Sequence, residues 1–241
     1  MNQLKYIAFC LFLLLACSST EEKMYVPQNP TPSGQPIVDV PTINKSFLAL
    51  GDSYTIGQSV PEKDRWSVLL NNLLSTQYQM TPHDIIAQTG WTTQELMQGI
   101  AKRNLTQQYD MVSLLIGVNN QYRGLSLEQY RTEFRELLKI SANFAKNDYQ
   151  RVMVLSIPDW GVSPAGQNAD RAKIGREIDA FNGVAEEECK KVGVAFIDIT
   201  SISRQNTDAS MFASDGLHFS GKMHQLWAMK AQSTALGILK K

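Results

Sequence analysis

The chain has 241 residues, 43% apolar and 19% charged, with 23 Lys and Arg against 23 Asp and Glu. That is enough apolar content for a full core. A neutral balance without blocks of like charge excludes a dedicated nucleic-acid binder. Three cysteines, at 10, 17 and 189 and without paired spacing, rule out a disulfide scaffold and a cysteine-rich zinc site.

The first residues read as an address. Lys5 supplies a positive start and residues 6–16 form an eleven-residue apolar run. At about 1.5 Å per residue, that run spans roughly half of a ~30 Å hydrocarbon core, so it fits a secretory signal better than a resident membrane helix. Leu14-Leu15-Ala16-Cys17 resembles a bacterial lipobox. The resemblance implies cleavage before Cys17, acylation of that cysteine, and a lipid anchor in the bacterial cell envelope, on the outer membrane. An ordinary signal peptide with an incidental cysteine is the alternative. Residues 1–16 are thus expected to be removed, leaving 17–43 as a lipidated, proline-rich tether. Five of the nine prolines fall there (27, 30, 32, 36 and 41), with few apolar residues, so the stretch cannot bury enough surface to offset the entropy of ordering it. The acidic pair Glu21-Glu22 resembles signals that carry some lipoproteins to the cell surface, although acidic pairs in linkers are usually only solubilising.

Residues 44–241 suit one domain. Short apolar runs at 46–50, 84–87, 111–116, 151–157 and 194–199 read as buried strands. Between them, Thr92-x-x-Glu95 and Ser126-x-x-Gln129 fit capping boxes, and Leu127, Tyr130, Phe134, Leu137 and Phe144 recur at helical spacing. A long helix is expected over 167–192, and Met223, Leu226, Trp227 and Met229 mark a last one. Strand–helix alternation repeated five times predicts an α/β fold: a three-layer α/β/α sandwich on a five-stranded parallel sheet. In such sheets ligands bind beyond the carboxyl ends of the strands.

The loops at those ends carry four groups of polar residues. The first strand runs into Gly51-Asp52-Ser53, where a serine at a strand-to-helix turn can present its hydroxyl as a nucleophile; the same tripeptide is also an ordinary turn and helix cap. The second strand is followed by Gly90, whose N–H could approach a ligand closely, or which is simply a loop glycine. The third runs into Gly117-Val118-Asn119-Asn120, where an amide can face a developing negative charge. Near the C-terminus, Asp215 stands three residues before His218, so its carboxylate can hold one ring nitrogen while the other faces a nucleophile. Of the other histidines, His83 follows Pro82 at the start of a strand, and His224 lies on the last helix with no carboxylate three or four residues away.

Taken together, Gly51-Asp52-Ser53, Gly90, Gly117-x-Asn119 and Asp215-x-x-His218 resemble the four blocks of the SGNH (GDSL) hydrolase superfamily, in order and over the whole domain. The resemblance implies a flavodoxin-like SGNH fold without cofactor or metal. Ser53 would be the nucleophile, His218 the base and Asp215 its orienting acid. The N–H groups of Ser53 and Gly90, with the Asn119 side chain, would form the oxyanion hole. Position 120 departs from the family, which often has Asp there. Implied substrates are small acyl esters of glycans, or lysophospholipids. A non-catalytic surface lipoprotein binding glycans on the same fold is the rival.

Other features compete for attention. Gly216-x4-Gly221-Lys222 mimics a phosphate loop, but Met223 replaces the required Ser or Thr. Asp159 follows a strand and is either a rival orienting acid or a loop-former, the latter being favoured. Trp91, Tyr122, Arg123 and Trp160 are candidates to line the mouth of the site, and Cys189 reads as inert.

Overall fold

Five strands form a fully parallel sheet in the order β2-β1-β3-β4-β5. The computed structural model describes residues 43–241; the expected signal, Cys17 and all of the expected tether but Ile43 lie outside them. In chain order the elements are β1 (Asn44–Gly51), α1 (Ser53–Ile56), α2 (Trp66–Leu74), β2 (Gln79–Ala87), α3 (Thr93–Arg103), β3 (Met111–Leu115), α4 (Val118–Tyr122), α5 (Leu127–Phe144), β4 (Val152–Leu155), α6 (Arg171–Val192), β5 (Ala195–Ile197), α7 (Thr200–Gln205) and α8 (Gly221–Leu239).

The three-layer sandwich expected from the alternation is present. Helices α2 and α8 pair on one face of the sheet, and α3, α5 and α6 pack on the other. Strands β1, β3 and β4 are covered on both sides, which is why they read as unbroken apolar runs: Phe47 to Leu50 and Met111 to Leu115 are buried almost without exposure.

Several boundaries differ from the sequence reading, each for a local reason. β2 begins at Gln79 rather than 84, because Pro82, which has no N–H to give, sits on an edge strand where the register slips by one residue. β4 ends at Leu155; Asn182 of α6 takes over the ladder by bonding both the N–H and the carbonyl of Ile157, at 2.7 and 3.1 Å. The long helix starts at Arg171, capped by the Asp170 carboxylate, after a 3-10 turn over Pro164–Asn168. The Thr92–Glu95 capping box is complete, whereas at Ser126 only the serine half forms, Gln129 turning instead to Glu133. Met229 is exposed, so Met223 and Trp227 carry the buried face of α8. Helix α2 has no place in the expected elements, although Trp66, Leu70, Leu73 and Leu74 are spaced for it. Among the described residues no helix is long and apolar enough to cross a membrane.

Candidate active site

Beyond the carboxyl ends of β1, β3 and β4 lies a cavity of about 170 Å³, lined by Ser53, Tyr54, Val118, Asn119, Tyr122, Trp160, Leu217 and His218. It collects three of the five predicted residues. A larger cavity of about 580 Å³ opens between α6 and the β5–α7 loop, but no histidine lines it. The chemistry therefore points to the smaller one.

Ser53 opens α1, directly after β1. Asp52 caps this short helix through a 3.0 Å bond from the Tyr54 N–H. The Asp52 carboxyl is buried, and that burial raises its pKa to about 7 against the hydrogen bonds that favour its charge. Tyr54 runs down into an aromatic cluster with Phe219 and Trp227, its ring also edge-on to His218 at 5.9 Å between centroids. That cluster anchors the His218 loop, because Phe219 beside it is fully buried and bridges back to Phe212.

Asp215 and His218 form a tight pair, with Nδ1 of the ring 2.7 Å from Oδ2. Oδ1 of the same carboxylate accepts the N–H groups of Leu217 and His218, each at 2.9 Å. Partial burial pushes the Asp215 pKa up, but bonds from Ser59, the two backbone N–H groups and the His218 ring outweigh it and hold the acid well below the ordinary carboxylate range. A carboxylate held this firmly ionised leaves Nδ1 as the donor and Nε2 as the free acceptor.

Asn119, at the start of α4, donates from Nδ2 to the carbonyl of Trp91 at 2.9 Å. Gly117 before it adopts φ 127°, and a Cβ there would come within 2.8 Å of Ile157 and Tyr130, so only glycine fits. Gly90 has φ 87° and is not among the residues lining the cavity; Arg123 grips its carbonyl at 2.5 Å and also pairs with Glu95. Of the four candidates for the mouth, Tyr122 and Trp160 line the cavity, their rings edge-on at 5.4 Å. Trp91 and Arg123 do not. The Trp91 ring packs on Gly99 of α3, and Arg123 serves the Gly90 loop.

Asn120 is fully buried: Oδ1 accepts the Thr93 N–H at 3.0 Å and Nδ2 donates to the Thr93 hydroxyl at 2.7 Å, tying α4 to the start of α3.

Residues 49–226 match the GDSL-like Lipase/Acylhydrolase family, a span that holds all four blocks. The chain belongs to this family. No curated protein matches it in sequence. Many solved structures are similar in fold, three of them as follows. The esterase EstA from Pseudoalteromonas sp. is 15% identical, covering 82% of this chain and 100% of its own, with TM-score 0.62. The lipase/acylhydrolase from Enterococcus faecalis is 19% identical, covering 80% and 96%, with TM-score 0.62. The acetyl xylan esterase AlAXEase is 16% identical, covering 78% and 98%, with TM-score 0.59. This GDSL-like acylhydrolase is thus a carboxylic ester hydrolase on a five-stranded parallel sheet.

The acylhydrolase keeps its remaining candidates out of the cavity. Asp159 is a loop-former: Oδ1 accepts the Gly161 N–H at 2.9 Å and Oδ2 pairs with Arg204 at 2.8 Å. His224 is buried, accepts the Trp66 N–H on Nδ1 at 3.0 Å and stacks on Trp227; burial lowers its pKa to about 3. His83 stacks on Phe47, its pKa lowered to about 4 by burial. Burial also pushes the Cys189 thiol up to about 12, which leaves it unreactive. Among the described residues no group of three His, Cys, Asp or Glu could hold a metal ion. Ser59, which donates to Asp215 at 2.6 Å, is absent from the sequence reading; it lies 156 residues away and no spacing rule connects the two.

Proposed function

We propose that this acylhydrolase cleaves small acyl esters through Ser53, His218 and Asp215. Ser53 Oγ attacks the ester carbonyl while His218 Nε2 takes its proton. The tetrahedral oxyanion is met by the N–H groups of Ser53 and Gly90 and by the Asn119 amide. Collapse breaks the C–O bond, and the alcohol leaves with the proton from His218. Water, deprotonated by His218, then attacks the acyl-enzyme and releases the carboxylic acid, restoring Ser53. Asp215 stays ionised throughout and holds the ring.

One observation carries the reading: Ser53, Asn119 and His218 line the same cavity, with Asp215 bonded to the ring nitrogen behind it. A glycan-binding module on this fold would have no use for a base with an orienting acid. The size of the cavity argues for a short acyl group, since about 170 Å³ falls below the ~300–1,000 Å³ common for small-molecule sites. The acetyl xylan esterase among the similar structures supports acetyl esters of glycans as the first substrates to try. Lipidation at Cys17, after cleavage of residues 1–16, would hold the enzyme on the envelope membrane, with 17–43 as the tether.

The test joins three measurements. A fluorophosphonate should label wild type at Ser53 and leave Ser53→Ala unlabelled, a chemistry in keeping with EstA, whose structure was solved inhibited by monoethylphosphonate. A series of p-nitrophenyl esters should favour acetyl and butyryl over longer chains; a preference for long chains, or for a lysophospholipid, defeats the short-acyl reading. Cys17→Ser should release active enzyme from membranes, and native protein found unlipidated in the soluble fraction defeats the anchor.

A further inference from the structure

We propose that Ser59 is a positioning residue for ester hydrolysis: its hydroxyl fixes the Asp215 oxygen that holds the His218 ring. The proposal rests on the reading of Ser53, His218 and Asp215 given above. Asp215 Oδ2 accepts both the Ser59 hydroxyl at 2.6 Å and His218 Nδ1 at 2.7 Å, while Oδ1 accepts two backbone N–H groups. A carboxylate has about four lone-pair sites, and here four donors occupy them. The backbone donors come from the acid's own loop and move with it. Ser59 is the donor that comes from elsewhere in the fold.

Its origin gives the contact its meaning. Ser59 sits in the turn that leaves α1, the helix opened by Ser53. In that turn the N–H groups of Gly57 and Gln58 both bond the Ser53 carbonyl, at 3.0 and 2.9 Å. The Gln58 side chain accepts the Thr89 hydroxyl at 2.6 Å, next to Gly90. One short turn therefore touches the nucleophile's backbone, the Gly90 loop and the orienting acid. Ser59 also has φ 61°, in the left-handed region that a serine enters at a cost and glycine enters freely. The backbone by itself favours glycine, so what serine adds at this position is the hydroxyl.

These two facts separate positioning from simple structural support. Ser59→Gly removes the hydroxyl while relieving the backbone, so the full-length variant should melt at or above the wild-type temperature. With p-nitrophenyl acetate its kcat should still fall by about tenfold, the scale of one hydrogen bond to a charged group, with KM within about twofold. Ser59→Ala, which loses the hydroxyl and keeps Cβ, gives a second route to the same loss. In an Asp215→Asn background the Ser59→Gly change should cost little more, because the carboxylate oxygen through which Ser59 acts on the ring is gone. Wild-type kcat in both Ser59 variants overturns the proposal, as does a loss that persists undiminished in the Asp215→Asn background. Ser53→Ala run alongside distinguishes the levels. If it stays active, the nucleophile reading falls and this proposal with it; if it is dead while the Ser59 variants run at full speed, only Ser59's role falls.

Discussion

Asn119 gives one of its side-chain N–H bonds to the Trp91 carbonyl, 2.9 Å away. The bond fixes the plane of the amide and leaves its second N–H for the cavity that Asn119 lines with Ser53 and His218. In the proposed mechanism a donor placed this way would meet the oxyanion more strongly than the ground-state carbonyl. Asn119→Ala should lower kcat by roughly 10²–10³ with little change in KM. Asn119→Asp should be worse, since a carboxylate would face both the Trp91 carbonyl and the oxyanion. Measuring kcat, KM and Tm on one preparation checks this, and a wild-type kcat for Asn119→Ala would remove the side chain from the mechanism.

The two C-terminal histidines should separate cleanly. His224→Ala strips the Trp66 N–H of its acceptor and opens a hole beside Trp227, so stability should drop by about 2–4 kcal/mol while the folded enzyme keeps its turnover. His218→Ala should do the reverse, abolishing hydrolysis with little loss of Tm. Urea titrations beside initial rates read both; a stable but inactive His224→Ala would contradict the assignment.

Asp52 predicts a pH dependence with a definite sign. Its ordinary pKa of 3.8 is raised to about 7 in the fold. The folded state therefore holds a proton that the unfolded chain has lost between those values. The stability this group contributes is complete below about pH 3.8 and is lost as pH rises through 7. Asp52→Asn, which can keep the Tyr54 cap, should therefore gain on wild type between pH 4 and 8, by roughly 4 kcal/mol at most. Parallel stability curves for the two proteins would show that Asp52 is not the group responsible.

Position 120 shows why a departure from a family pattern can be sound. The Thr93 hydroxyl, bonded by Asn120 Nδ2, donates its own proton to Glu133. An Asp in place of Asn120 would bring a second carboxylate to a hydroxyl whose proton is already committed. Asn120→Asp should lower Tm at pH 8 and recover part of the loss at pH 5, as the carboxylates protonate. Equal losses at both pH values would point to packing instead.

The loops after the strands were legible because chemistry there depends on short local motifs: Asp215-x-x-His218 is a four-residue statement, and the structure closes it at 2.7 Å. The layer order was legible as well, because strands buried on both faces lose their polar alternation. What was not legible was long-range. The contacts Ser59–Asp215, Trp66–His224 and Arg123–Gly90 join residues 156, 158 and 33 positions apart, and no periodicity encodes them. Trp91 and Arg123 show the same limit from the other side. Their loops sit at the site, but the direction of each side chain is set by Gly99 and Glu95, neighbours that only the fold supplies.

Helix α8 comes last among the described elements, yet it lies along α2 and reaches β3, β4 and β5. It also carries the His224 ring that the first N–H of α2 requires. A chain lacking α8 leaves β3, β4 and β5 without its cover on that face and α2 without its acceptor, so the domain cannot close before α8 is made. A premature stop codon anywhere in α8 should yield an aggregation-prone product instead of a slightly shorter enzyme.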